Sequence, residues 1–313
     1  MVSCNSVDDK LKHATNMIEK DIIHFKQFNY LYPFTTENIS GYLDYFDLKD
    51  KSLLTVGSSS DQVLNAIICG SKDITLYDIC PFIKEYYYLK MAAIKTLTRE
   101  EYLKFFSYLH YSYYFINNNK TFDNKTFSKI NECLQELDEE SSYFWYELFK
   151  KYKGKLIRKK LFNADEISLK VNKMVNRYLF SCDEYNNLKE MIDKANVIFK
   201  CADIFNIESD KKYDNIFLSN ILAYTELKKY IIFFNKIKEL LNEDGKMLYS
   251  YLYDTDCSDI YIDDASSRYT KDEIIESISE SLNFISFQGN SGLSVNDNRM
   301  TDSIITYKKS KKI

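Results

Sequence analysis

Between Ser52 and Asp78 the chain runs through an apolar segment, a turn of small residues, an apolar helix and a second apolar segment that ends in an acid. No other stretch restricts the fold as strongly. Ser52-Leu53-Leu54-Thr55-Val56 has strand length and is closed by Gly57-Ser58-Ser59-Ser60-Asp61. Gln62 to Cys69 predicts a buried helix, with Gly70 in the position of a C-terminal cap. Asp73-Ile74-Thr75-Leu76-Tyr77 predicts a second strand, Asp78 follows, and a helix is expected from about Pro81 to Leu97. Two strands joined through a helix form a βαβ unit, whose strands are parallel and buried on both faces.

The alternation stops after this unit. Residues 98–192 contain almost no strand-like run, whereas Thr98-Arg99-Glu100-Glu101 is a capping box and further helices are expected around 127–138, 141–152 and 165–190. It resumes with strands at Asn196–Lys200, Tyr213–Leu218 and Lys246–Tyr251, and with a helix over 225–242. A second capping box, Thr270 to Glu273, opens a helix, and two final strands, Phe284–Phe287 and Asp302–Tyr307, have no helix between them. Such an ending places an antiparallel strand at the sheet edge or within the sheet. The organisation read from this pattern is an N-terminal helical cap (1–50) that includes an amphipathic helix over 8–30, an α/β domain (51–97 and 193–313), and a helical insertion after the second strand (98–192).

Composition narrows the function classes. A net charge of −4 supplies no global field for nucleic acid, so no nucleic-acid partner is expected. The 7 cysteines are scattered with no C-x-x-C pair, which predicts reduced thiols in a cytoplasmic protein. His13, His24 and His110 have no cysteine or acid at ligand spacing, so no metal is expected. No apolar run reaches the roughly 18 residues of a membrane span. The run from Lys150 to Lys160 carries 7 cations in 11 residues. It reads either as a solvated helix junction or as a contact for phosphates or lipid headgroups. The aromatic groups 111–115 and 143–146 read as core of the insertion or as the wall of an acceptor pocket.

Ligands of open α/β sheets bind at the carboxyl ends of the strands, where strand order reverses. The turn Gly57-Ser58-Ser59-Ser60-Asp61-Gln62 stands there, and small residues let a backbone approach a ligand closely. One glycine followed by three serines argues against a pyrophosphate, which wants G-x-G-x-x-G, and leaves room for a nucleoside without phosphate. An ordinary tight turn is the competing reading. Asp78 stands 21 residues after Gly57, at the end of the second strand, where an acid accepts both ribose hydroxyls or caps the next helix. Asp203 follows the third strand in the same relative place. An acid there accepts an adenine amino group while the Ile204 N–H meets a ring nitrogen, or it is a plain surface acid. Ser219 and Asn220 end the fourth strand, beside the expected reacting centre, and Tyr224, Tyr253 and Asp254 are the candidate catalytic neighbours.

The loop Gly57–Gln62, the segment Asp78-Ile79-Cys80-Pro81 and the helix Leu89-Lys90-Met91-Ala92-Ala93-Ile94 resemble the S-adenosylmethionine:diacylglycerol 3-amino-3-carboxypropyl transferases of betaine-lipid synthesis. Tyr32-Pro33-Phe34-Thr35-Thr36-Glu37-Asn38-Ile39 is similar to a segment of uncharacterised bacterial relatives. The resemblance covers roughly 30–100, extends more loosely over 196–254, and includes a helical insertion after the second strand. It departs where the family's loop keeps a second glycine or an alanine and this chain has Ser59 or Ser60. The chain also declares no membrane-contacting surface.

The resemblance implies a Rossmann-like class I S-adenosylmethionine-dependent transferase sheet with an N-terminal cap. It implies S-adenosylmethionine as cofactor, held by Gly57, Ser58, Ser59, Asp61, Gln62, Asp78, Ile79, Asp203, Ile204, Ser219 and Asn220. Tyr30, Thr35, Thr36 and Asn38 are candidate donors to the cofactor carboxylate. The expected reaction moves the 3-amino-3-carboxypropyl group to a small-molecule or lipid-headgroup acceptor. Methyl transfer is the first alternative, although the Asn/Asp-Pro-Pro-aromatic motif of amino-group methyltransferases is replaced by Ser219-Asn220-Ile221-Leu222. A non-catalytic binding protein on the same fold is the second.

Overall fold

A computed structural model describes residues 6–20, 30–57, 59–106, 122–162, 173–221, 225–251, 271–278, 280–288 and 301–310. Helices α1 (Val7–Glu19) and α2 (Ile39–Leu43) precede β1 (Ser52–Val56), α3 (Asp61–Ile68), β2 (Asp73–Asp78) and α4 (Ile83–Thr96). The insertion supplies α5 (Arg99–Phe106), α6 (Asn124–Leu137), α7 (Glu139–Lys151), α8 (Gly154–Leu161) and α9 (Cys182–Met191). Then come β3 (Asn196–Cys201), β4 (Tyr213–Phe217), α10 (Leu227–Ile237), β5 (Leu241–Tyr251), α11 (Lys271–Ser277), β6 (Leu282–Gln288) and β7 (Thr301–Lys308).

The strands form one seven-stranded sheet in the order β3-β2-β1-β4-β5-β7-β6. β1 pairs in parallel with both β2 and β4, and β4 with β5, whereas β7 runs antiparallel between β5 and β6. The antiparallel strand expected from the helix-free ending therefore lies within the sheet. Side chains alternate across it, as the two-residue period of a strand requires. Leu53, Phe217, Leu248 and Ile304 enter the core beneath α3, α4 and the insertion, while their chain neighbours Leu54, Ile216, Met247 and Ile305 enter the core beneath α10 and α11. The insertion has no separate core. Its Phe127, Trp145, Leu161 and Tyr178 share one cluster with Ile18 and Phe34 of the N-terminal segment and with Tyr86 of α4.

Several boundaries differ from the sequence expectation, each for a local reason. Asp123 and Asp138 accept from the N–H groups of Thr126 and Ser141 and cap α6 and α7, so both helices start before 127 and 141. The long helix expected over 165–190 is not continuous. Asn176 is extended (φ −118°), a 3-10 turn covers Arg177–Leu179, and Ser181 caps α9 by accepting from Glu184 N–H. Helix α1 ends at Glu19, and 21–29 lie outside the described residues. The Thr98 capping box is present, with Glu101 reaching back to the Thr98 N–H at 2.9 Å. Thr270, of the second box, is outside the described residues, as is the aromatic group 111–115. The basic run is partly internal. Lys150 and Lys151 pair with Glu147 and Glu19, and Arg158 is buried against the Phe162 ring. In the second aromatic group Phe144 and Trp145 are core, while Tyr143 and Tyr146 are exposed.

Between β3 and β4 the chain has one 3-10 turn, Ile204–Asn206, and no helix. That part of the sheet face is consequently open. A cleft of about 490 Å³ lies on it, lined by Thr75, Tyr77, Ile198, Lys200 and Tyr213 among others. No described helix is long and apolar enough to cross a membrane.

Gly154, the first residue of α8, sits against the backbone of Phe122: a Cβ there would lie 1.5 Å from the Phe122 carbonyl oxygen. Phe122 is itself in the left-handed region (φ 51°), so it has little freedom to retreat. Alanine is the better helix former by up to about 1 kcal/mol. The clash reverses that sign: Gly154→Ala is expected to lower stability by about 3 kcal/mol, read from the urea midpoint, and a stabilised variant would contradict the packing.

Candidate functional site at the reversal of strand order

Strand order reverses at β1, whose neighbours β2 and β4 lead away in opposite directions. The loops after β1 and β4 therefore border the crevice where open α/β sheets receive ligands. Both loops carry backbone strain. Ser60 (φ 63°) and Ser219 (φ 52°) adopt left-handed conformations that glycine takes without cost. A structure stores this strain only where its surroundings hold the residue in place.

The loop after β1 is held by a buried ion pair. The Lys90 ammonium of α4 donates to Asp61 Oδ1 at 2.6 Å and to the Ser59 carbonyl at 2.7 Å, with both charged side chains fully buried. Phe34, Tyr86 and Phe106 place ring faces around the same ammonium, their centroids 4.9, 5.2 and 6.0 Å away. Burial pushes the lysine below its ordinary range, and Asp61 pulls it back. Asp61 also accepts from Tyr178 O–H at 2.9 Å and from Thr35 N–H at 2.6 Å, and the Ser59 hydroxyl accepts from Asp61 N–H. Asn65, one turn further along α3, bonds to Asn176 and to Arg177 N–H. Loop, α4, N-terminal segment and insertion are thus tied at one carboxylate.

A second buried carboxylate closes the crevice from the other side. Glu37 accepts from Ser219 O–H at the end of β4, from Ser250 O–H of β5 at 2.8 Å, and from Tyr42 O–H of α2 at 3.3 Å. The neutral Gln62 side chain, in the first turn of α3, also favours the ionised form of the carboxyl. Burial raises the Glu37 carboxyl above its ordinary range, and these four neutral groups hold it down only in part. Gln62 keeps its Oε1 without a partner, and a Cβ on Gly57 would lie 3.2 Å from that atom. Ser60 Oγ is likewise buried and unpartnered.

The residues singled out from the sequence fall into three groups. Gly57, Ser59, Gln62, Asp78, Ile79, Asp203, Ile204, Ser219 and Asn220 all stand at the carboxyl ends of β1 to β4. Asp78 Oδ1 accepts from Cys80 N–H at 2.7 Å, and burial raises its carboxyl to about 7 although part of its surface stays open. Asp203 accepts from Phe205 N–H at 3.0 Å and caps the 3-10 turn. Ile204 turns its side chain into the core.

The second group serves the fold. Asp61, expected among the cofactor contacts, is fully buried and its carboxylate is engaged by the chain's own donors. Asn38 caps α2 by accepting from Gly41 N–H, and Thr35 Oγ accepts from Glu37 N–H. Tyr30 packs on the core edge, and Thr36 keeps part of its surface open. The third group, Ser58, Tyr224, Tyr253 and Asp254, lies outside the described residues.

Sequence reading passed over Glu37 and Lys90 as site residues. Lys90 carried a signal: a lysine amid Leu89, Met91, Ala92 and Ala93 on a buried helix demands a buried acid. Glu37 had none beyond its place in the segment Tyr32–Ile39. Among the described residues no group of three or more His, Cys, Asp or Glu is arranged to hold a metal.

No family model and no curated protein matches the chain. Among solved structures it is similar to the N-methyltransferase NodS of Bradyrhizobium japonicum with S-adenosyl-L-homocysteine, at 9% identity and TM-score 0.39, over 96% of this chain and 99% of that one. The pyocyanin biosynthetic protein PhzM has 9% identity and TM-score 0.39, over 86% of this chain and 53% of that one. Phosphoethanolamine N-methyltransferase 1 of Haemonchus contortus has 10% identity and TM-score 0.40, over 98% and 50%. Likenesses this distant carry no weight for the chemistry of this chain.

Breaking a buried pair from one side strands the other charge. Lys90→Met is therefore expected to cost about 3–5 kcal/mol in urea unfolding, and the double variant Lys90→Met/Asp61→Asn appreciably less. A loss below about 1 kcal/mol for the single variant would remove the pair from its central place.

Proposed function

We propose that this chain binds S-adenosylmethionine in the crevice at the strand-order reversal and transfers its 3-amino-3-carboxypropyl group to a small-molecule or lipid-headgroup acceptor. The observation that carries the reading is the placement of acids and small residues at successive strand ends: Gly57 after β1, Asp78 ending β2, Asp203 after β3 and Ser219 after β4. Unpartnered buried acceptors at Gln62 and Ser60 fit a polar ligand that approaches this loop.

In this reading Asp78, whose surface stays partly open, accepts the ribose hydroxyls. Asp203 and the Ile204 backbone meet the adenine. Thr36 and Tyr30 of the N-terminal segment approach the carboxylate end, and Ser219 and Asn220 border the reacting centre. When bound, the cofactor supplies a sulfonium that activates three adjacent carbons, and alignment with the acceptor selects among them. The chain's task is to orient the amino-acid arm and exclude water, since charge is neutralised as the bond forms. Tyr224, Tyr253 and Asp254 remain candidates for contacts to the acceptor. Methyl transfer is the second reading. The motif Ser219-Asn220-Ile221-Leu222 after β4 favours the first, because it lacks the paired prolines and aromatic ring that hold a planar amine.

Two measurements test the proposal. Calorimetry should detect S-adenosylmethionine binding that Asp78→Ala abolishes, and unchanged binding in that variant would overturn the site. Chromatography of the incubated mixture should show methylthioadenosine, whereas S-adenosylhomocysteine alone would establish methyl transfer instead.

The pH dependence has a definite sign. The ionised Asp78 carboxylate is the better acceptor for two hydroxyls, and its protonation midpoint is raised to about 7. Affinity for methylthioadenosine, whose contact with Asp78 is through the ribose, should rise as pH increases through about 7 and level off above it. Asp78→Asn should flatten that profile. An affinity that falls over the same range would exclude an ionised Asp78 from the ribose site.

A further inference from the structure

Besides the half-buried Asp78, two carboxylates at the crevice are almost wholly enclosed, and they are treated differently. Asp61 has a lysine at 2.6 Å. Glu37 is 4% exposed; its hydrogen-bond partners Ser219, Ser250 and Tyr42 are all neutral, as is Gln62 beside them. Among the described residues it forms no ion pair. The buried ammonium of Lys90 does not answer it, being committed to Asp61 and Ser59, and Thr35 links the two acids by donating its N–H to Asp61 and accepting from Glu37 N–H at its Oγ. A carboxylate taken out of water with no counter-charge is costly. Three hydroxyl donors orient it without neutralising it.

The position of this unanswered charge is informative. Glu37 bridges the ends of β4 and β5 and the first turn of α3, so it stands over the strand-order reversal. Beside it Gln62 Oε1 is buried, unpartnered and aimed at Gly57, the residue whose missing side chain opens the loop. An ammonium carries three donors and one positive charge, and it answers both acceptors at once.

We infer that Glu37 and the Gln62 side-chain oxygen form the receptor for the α-ammonium of the cofactor's amino-acid arm. This rests on the cofactor reading above and adds the fixed point of the arm. Aminocarboxypropyl transfer needs that arm held so that its γ-carbon, and not the methyl group, faces the acceptor. An ammonium anchored under Ser219 by a residue of the N-terminal segment gives the arm a second point of attachment besides the ribose.

The test compares S-adenosylhomocysteine with its deaminated analogue, 5′-S-(3-carboxypropyl)-5′-thioadenosine, which keeps the carboxylate and lacks the ammonium. The wild-type chain should prefer S-adenosylhomocysteine by about 10- to 100-fold, the range of charge-assisted hydrogen bonding. Glu37→Gln should erase most of that preference and leave methylthioadenosine affinity unchanged. Wild-type binding of both ligands with equal affinity overturns the inference while the cofactor reading stands, as does a Glu37→Gln chain that keeps the preference. If no adenosine ligand binds the wild-type chain, the cofactor reading fails and this inference with it. Should Glu37→Gln not fold, the wild-type preference decides alone.

Discussion

The ion pair between Asp61 and Lys90 organises this molecule. It sits at the point where the β1 loop, α4, the N-terminal segment and the insertion meet: the loop offers the Ser59 carbonyl as acceptor, and the other three contribute donors or rings. Buried pairs of this kind add little net stability compared with apolar packing, because desolvation cancels much of the attraction. Their effect is on geometry. Lys90, Tyr178 and Thr35 converge on Asp61 and on the Ser59 carbonyl, and so hold the end of the loop that enters α3. The left-handed Ser60 is the visible cost of that fixation.

The insertion and the N-terminal segment are consequently parts of the crevice. Tyr178 comes from beyond α8, more than one hundred residues along the chain from the loop it steadies (|i−j| is 117 from Asp61). Thr35 and Glu37 are two residues apart, and their contacts run in opposite directions: Thr35 N–H to the β1 loop, the Glu37 carboxylate to β4 and β5. The segment Tyr32–Ile39 thus straddles the reversal of strand order. Its one polar stretch is spent on the site, and its Phe34 and Ile39 on the core.

What the sequence made legible follows from which interactions are local. The βαβ unit was readable because alternation, turn and cap are all written within Ser52–Asp78. Gly70, at φ 96° after α3, is where the helix was expected to stop. The antiparallel ending was readable because two strands without an intervening helix cannot be parallel neighbours of short connection. Helix starts at Asp123 and Asp138 were missed, since a capping aspartate resembles any other polar residue until its helix is placed. The continuous helix over 165–190 failed at Asn176, an extended residue whose side chain accepts from Asn65, 111 positions away. Asp61 was assigned to the cofactor because an acid after a glycine loop looks like a ligand contact. Its partner is on another helix, and only the apolar neighbours of Lys90 hinted at the pairing.

The contrast between the two buried acids decides how the site should be understood. A chain that can place Lys90 within 2.6 Å of Asp61 has the means to neutralise a buried carboxylate. At Glu37, two residues from the Thr35 that donates to Asp61, it supplies two serines and a tyrosine instead. These donors keep the carboxylate oriented and leave its charge for something else to answer, and the orphaned Gln62 oxygen extends the same demand by one more acceptor. A purely structural tie would be made more cheaply by a glutamine at position 37, which satisfies hydroxyl donors without a buried charge. Retaining the acid, under the reversal point of the sheet and beside the only glycine of the loop, is the arrangement expected of a group whose counter-ion arrives with the ligand.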